Sequence, residues 1–300
     1  MIMPIKSVTN TMNNKNKKLA SIVPEDSRLE QLCTGFQFTE GPIWNVVNDV
    51  LLFSDIPANR IYAWSSIKGA TLFREPSGNS NGLTYDREGR LILCEHGTRR
   101  LSQLENGDVY TVLSERFRGK RLNSPNDAVV KSDGTIYFTD PPYGIKPEEQ
   151  ELSFQGVFSF DPESQNLTLL ADDFDRPNGL AFSPDERVLY IADSSSRRHI
   201  RAFDVHSDGL LRRGRVFATI DSESPGNPDG MKIDVEGNLY SAAAGGIWIY
   251  SADGESLGII PTPETPANCA WGDKDGKSLY ITARTSLYHI KLNIPGVRPK

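Results

Sequence analysis

The sequence predicts an all-β chain folded as a six-bladed β-propeller, on three observations. A strand phrase ending in a small or acidic residue recurs six times, usually after an Asp-Gly type turn. Its endpoints, Asp55, Glu95, Asp140, Asp193, Ala243 and Ala283, are 40, 45, 53, 50 and 40 residues apart. Between endpoints lie several short β-branched and aromatic runs, while Gly and Pro interrupt every helical period. A repeat of that length built from short strands matches four-stranded propeller blades rather than a helical solenoid.

The elements follow in chain order. Residues 1–27 are rich in Asn and Lys and contain no apolar run of the kind a secretory signal needs, so they are read as a flexible N-terminal tail. Residues 28–293 form the single propeller domain. Its first unit shows four strands by alternation and turn residues, "GPIW", "DVLLFSD", "RIYAWS" and "ATLFRE". The next four units end at "REGRLILCE", "SDGTIYFTD", "DERVLYIAD" and "VEGNLYSAA". The last unit supplies only "CAWG", "SLYITA" and "SLYHIKL"; residues 28–34, "RLEQLCT", are left over at the start and are predicted to complete that blade. Such closure removes the free sheet edge. Residues 294–300 are read as a C-terminal tail.

Fourteen or fifteen residues before each endpoint stands an acid or an amide: Glu40, Asn81, Asn126, Asn178, Asp229 and Asn268. The first strand of each blade lines the central channel, so six equivalent positions converge on one axis. Asn-Gly and Asp-Gly are also turn formers, and the recurrence alone is compatible with that simpler role, above all at Asn81 and Asn268. Glu40 is a poor turn residue, and all six side chains carry an sp2 oxygen. Glu40 and Asp229 would put two carboxylates in one narrow space with no Lys or Arg at a ring position. Two such groups cannot both ionise unaided, so one stays protonated or a cation sits between them. An all-oxygen donor set suits Ca2+ best, with Mg2+ and Mn2+ open; Zn2+ more often recruits His or Cys but stays among the alternatives.

Other chemistries fail on context. A net charge of -6 argues against a nucleic-acid or acidic-membrane partner, and no run approaches the length of a membrane helix. Cys33, Cys94 and Cys269 are odd in number and far apart, which fits a reducing compartment, so the chain is placed in the cytoplasm, as a monomer or homodimer. "GESLG" around Ser256 lacks the strand and helix of a nucleophile elbow. His199, His206 and His289 share no spacing, and there is no phosphate loop or dinucleotide fingerprint.

The phrases "FTEGPIW", "RLNSPNDAVVKSDGTIYFTDPPYG", "RPNGLAFSPDERVLYIAD" and "NPDGMKIDVEGNLY" resemble the gluconolactonase, regucalcin (senescence marker protein) and drug-responsive lactonase family. The resemblance spans roughly residues 30 to 290. It implies a propeller with a divalent cation in its channel that hydrolyses small-molecule lactones. Matched motif by motif, it implies Glu40, Asn178 and Asp229 as metal ligands, and Asn126 as a further ligand or a substrate contact. Arg121 and Asn123, in the approach to Asn126, are carried over as substrate contacts. His96 and Tyr143, just after second strands, are placed at the channel mouth for the same role, with loop packing as the alternative. The expected reaction is Lewis-acid polarisation of the carbonyl with Asp229, beside Glu40, as general base towards water. A lactonase or phosphotriesterase of other specificity and a non-catalytic calcium-binding propeller are the alternatives.

Overall fold

A computed structural model describes residues 14–105 and 109–299. Six four-stranded antiparallel sheets follow one another along the chain. Blade one comprises Thr39–Asn45, Val50–Asp55, Arg60–Ser65 and Gly69–Arg74. Blade two comprises Ser80–Tyr85, Leu91–Glu95, Arg100–Leu104 and Tyr110–Ser114. Blade three comprises Ala128–Val130, Ile136–Asp140, Gln155–Asp161 and Asn166–Phe174. Blade four comprises Pro177–Phe182, Val188–Asp193, His199–Val205 and Leu211–Thr219. Blade five comprises Met231–Ile233, Leu239–Ala243, Gly246–Tyr250 and Ser256–Pro261. Blade six takes Pro266–Gly272, Ser278–Ala283 and Ser286–Lys291, and its outermost strand is Glu30–Thr34, paired antiparallel with Ser286–Lys291. Each inner strand touches the next, and Pro266–Gly272 meets Thr39–Asn45, so the ring is closed as the leftover N-terminal strand predicts.

The core lies between blades. Second strands such as Leu91–Glu95 and Ser278–Ala283 are buried along their whole length, because both faces of each sheet pack on a neighbour. Between blades five and six, Tyr240, Ile249, Trp271, Leu279, Ile281 and Ile290 form one such layer. At roughly 25 cal/mol per Å2 of buried apolar surface, these interblade layers are the main stabilising contribution.

Three of the four acids that close the strand phrase hold the loop that precedes their own blade, while Glu95 takes side-chain donors from Thr98, Arg100 and Ser102. Asp55 accepts the backbone N–H groups of Gln37 (3.1 Å) and Phe38 (3.0 Å), and Asp140 those of Asn123 and Ser124, both at 2.7 Å. Asp193 does the same for Asp175 and Arg176. Each of these three carboxylates therefore fixes the loop leading into its own blade's inner strand, satisfying donors that would otherwise be stranded near the channel.

Both termini pack more than their composition indicates. Within the segment read as a flexible tail, Asn14–Ile22 is an α-helix, with residues 1–13 outside the described residues. Ile22 is buried in the layer between blades five and six, Leu19 abuts Gly258, and Asn293 donates its N–H to the Ile22 carbonyl at 2.9 Å. Tertiary burial of two apolar residues overrides a polar local composition. At the other end Ile294 is buried and Val297 donates its N–H to the Ile233 carbonyl at 2.9 Å. Among the described residues no helix is long and apolar enough to cross a membrane.

Candidate active site

The six ring residues stand at the start of the inner strands, and local backbone geometry turns them to the axis. Pairing between first and second strands skips at Glu40/Ile43, Ser80/Leu83, Pro177/Leu180 and Pro266/Asn268, which breaks the normal strand alternation in four blades; in the other two, Asn126 and Asp229 stand just before inner strands that begin at Ala128 and Met231. The glycine that follows is required by crowding. Gly41 has φ +51°, and a Cβ there would lie 1.9 Å from the Asn81 carbonyl oxygen; a Cβ on Gly230 would lie 1.9 Å from Asn268 Cγ. The turn-former and channel-ring readings are thus two aspects of one arrangement. Gly82 N donates to the Asn126 carbonyl and Gly230 N to that of Ala267, both at 2.8 Å, tying adjacent inner strands together.

A cavity of about 500 Å3 opens over this ring, within the range of small-molecule sites. Glu40, Asn81, Asn126, Asn178 and Asp229 all line it, and so do His96 and Tyr143 at the mouth. Glu40, Asn126 and Asn178 are buried, whereas Asp229 keeps part of its surface on the cavity. Two expected substrate contacts lie elsewhere. Arg121 donates from Nη2 to the Thr98 carbonyl (2.9 Å), and its backbone N–H goes to Glu151 (2.8 Å). Asn123 is fully buried, its amide nitrogen donating to the carbonyls of Asp140 (2.9 Å) and Phe154 (3.0 Å). Both brace the loop before Asn126 and neither lines the cavity: Asp140 and Phe154 take up Asn123, while Glu151 and Thr98 take up Arg121.

Burial dominates the electrostatics. Glu40 Oε2 accepts the Gly41 N–H at 2.6 Å and the Asn268 amide at 3.0 Å, yet desolvation pushes its carboxyl up to about 7, helped by the charge of Asp127. Asp229 is raised well above the usual carboxylate range, first by burial and then by the charges of Glu40 and Asp127; hydrogen bonds from Asn178 and Gly230 N oppose the shift. Burial lowers His96 to about 4, leaving it neutral at physiological pH, and its Nε2 lies 3.3 Å from Asn81 Nδ2. Tyr143 is in hydrogen-bonding reach of Asn178 and Ser194.

Asp127 and Lys232, which the ring pattern does not single out, form the floor. Asp127 is buried and raised by burial, and Lys232 opposes that shift. Asp127 occupies the position after Asn126, where four other units have glycine; that substitution is the signal that marks it. Arg176, Ser194 and Arg284 also line the cavity. They sit on loops outside the strand phrase that the sequence repeats.

Among the described residues no three His, Cys, Asp or Glu side chains group as a metal centre. What the cavity gathers is two carboxylates that burial holds short of charge, with amide oxygens beside them, the donor chemistry of a hard cation. Glu40, Asn178 and Asp229 fit such an ion.

Residues 38–285 match the family described as the SMP-30/Gluconolactonase/LRE-like region. A gluconolactonase of Zymomonas mobilis is 35% identical, with 91% of this chain and 84% of that protein covered. A pentonolactonase of Haloferax volcanii is 27% identical over 83% and 82% of the two chains. Among solved structures, a gluconolactonase from Xanthomonas campestris superposes with a TM-score of 0.86 at 36% identity, covering 92% of this chain and 93% of that one. A calcium-binding regucalcin from Agrobacterium tumefaciens shares the fold, with a TM-score of 0.76 at 18% identity, over 90% and 95% of the chains.

Proposed function

This chain belongs to the SMP-30/gluconolactonase/LRE-like family, and we propose that it is a gluconolactonase-like lactone hydrolase that opens a sugar lactone with a divalent cation held by Glu40, Asn178 and Asp229. One observation carries the reading: Glu40 and Asp229 line a single cavity, each buried enough to resist ionising, with Asn178 hydrogen-bonded to Asp229. Ca2+ fits the oxygen donors first, with Mg2+, Mn2+ and Zn2+ as alternatives. When bound, the ion supplies Lewis-acid polarisation of the lactone carbonyl.

The rest falls to the chain's own residues. Asn178 orients the Asp229 carboxylate, and Asp229 takes the proton from the attacking water as general base. Glu40, held by Gly41 N and Asn268, supplies the second negative charge that the site must balance. Asn126 and Tyr143 face the substrate's hydroxyl groups. His96, kept neutral by its burial, serves there as a hydrogen-bonding partner rather than a proton donor. As the ring C–O bond breaks, Asp229 returns that proton to the departing ring oxygen, and the aldonic acid is released.

The test is a pH-indicator assay of glucono-1,5-lactone hydrolysis on chelator-stripped and calcium-restored protein, beside an aryl ester, a phosphotriester and an acyl-homoserine lactone. Cation-dependent opening of the sugar lactone is expected. Turnover indifferent to chelation, or a preference for the phosphotriester, overturns the reading.

A further inference from the structure

Four blades place a residue other than glycine in left-handed backbone conformation in the turn between their second and third strands: Asn59 (φ 58°), Arg99 (φ 59°), Arg198 (φ 45°) and Arg284 (φ 47°). Three of them use the side chain to clamp the loop leading into the next blade along the chain. Asn59 Oδ1 accepts Ser77 N (3.0 Å) and Asn79 N (2.8 Å); Arg99 Nε donates to the Leu122 carbonyl (2.9 Å); Arg198 donates to the carbonyls of Ser222 (2.9 Å) and Gly226 (2.8 Å). Arg284 departs from the pattern. Its backbone carbonyl accepts Thr39 N at 2.7 Å, but among the described residues its guanidinium meets no acceptor; it lies over the Phe38 ring, 5.6 Å from the centroid, at the cavity wall.

A second arginine does likewise. Arg176, just before the inner strand of blade four, also lines the cavity, over the Tyr143 ring at 5.8 Å. Among the described residues no carboxylate pairs with its guanidinium. An aromatic face steers a guanidinium without neutralising it. Both side chains are exposed at the mouth, where an incoming molecule can reach them.

Neither guanidinium is committed to a carboxylate within the described residues, so the cavity mouth offers two positive charges to an incoming molecule. We propose that Arg176 and Arg284 form an anion-binding rim, so that the preferred substrate is a sugar lactone bearing an anionic group, a phosphate ester or a carboxylate, remote from the lactone carbonyl. The inference rests on the hydrolase reading of the same cavity. Guanidinium is well suited to the task, since its planar donors match phosphate and carboxylate oxygens in pairs.

The test has a kinetic arm and a binding arm. Hydrolysis of glucono-1,5-lactone, 6-phosphoglucono-1,5-lactone and glucaro-1,4-lactone is compared on calcium-loaded protein, and calorimetry measures binding of gluconate and 6-phosphogluconate. Wild type is expected to show at least tenfold higher kcat/KM for an anionic lactone than for the neutral one; which anionic lactone leads identifies the group. In R176A and R284A the ratio should fall about tenfold, mainly through KM, with part of it restored in the Lys variants. Added salt should erode the same ratio. Equal use of neutral and anionic lactones, or 6-phosphogluconate binding that ignores both substitutions, overturns the proposal. If no lactone is opened but 6-phosphogluconate binding still depends on the two arginines, the hydrolase reading fails and the anion rim stands.

Discussion

Asn268 of the last blade donates its amide nitrogen to Glu40 Oε2 of the first at 3.0 Å, and the same nitrogen lies 3.3 Å from Asp127 Oδ2. Its oxygen accepts Cys269 N at 2.9 Å and faces Lys232 Nζ at 3.4 Å, so all of its polar capacity is directed into the floor. Asn268 is therefore the member of the ring that holds the acids rather than lining the cavity above them.

Asn268→Ala removes a donor from a buried carboxylate and should cost about 2 kcal/mol in urea unfolding. Asn268→Asp should cost more, because it adds a further buried acid beside Glu40 and Asp127. Unfolding midpoints for the two variants read the order directly.

Gly230→Ala should be more damaging than either. The added methyl would lie 1.9 Å from Asn268 Cγ, and neither the inner strand nor the floor amide can retreat. A loss above about 3 kcal/mol is expected, within the range for overpacking a crowded buried site, and is measured by the same unfolding experiment.

His96 sets a pH dependence. Its folded value of about 4 lies below the ordinary 6.5, so between those limits the unfolded chain binds a proton that the fold excludes. The sign follows: this group's contribution to stability is present above pH 6.5 and is lost as pH falls through about 4. Between wild type and His96→Gln, the difference in unfolding free energy should change with pH over that window, by on the order of 3 kcal/mol in total. A difference constant across the window would contradict the burial assigned to His96.

Removing residues 1–34 should destabilise more than removing residues 1–24. The longer deletion takes the strand Glu30–Thr34 and opens blade six to an unpaired edge. The shorter one is not neutral, since it strips Ile22 from the core, a loss of about 2 to 5 kcal/mol by analogy with large core truncations. Thermal melts of the two deletions should rank in that order.

Much of this architecture was legible because a propeller repeats itself. Six polar residues at one phase and a leftover N-terminal strand suffice to predict the ring and its closure. The endpoint acids were visible as a pattern, but their work as loop clamps was not, because hydrogen bonding to approach-loop N–H groups leaves no trace in spacing. Asp127 was hidden by its likeness to a turn residue, although it stands where other units need glycine. Arg121 and Asn123 sit close in sequence to Asn126, yet their hydrogen bonds go to loop partners, Thr98 and Glu151 for the first and Asp140 and Phe154 for the second, which spacing does not reveal. The helix Asn14–Ile22 was obscured by its polar composition, since only tertiary contact shows that Leu19 and Ile22 are covered.

The central claim is that Glu40 and Asp229 share a cation, and calorimetric titration of chelator-stripped protein with Ca2+ tests it most directly. One ion per chain is predicted for the wild type, with affinity lost by at least a hundredfold in Glu40→Gln and Asp229→Asn while their circular dichroism and unfolding remain cooperative. Calcium binding of wild-type strength in either folded variant, or none in the wild type, would contradict it.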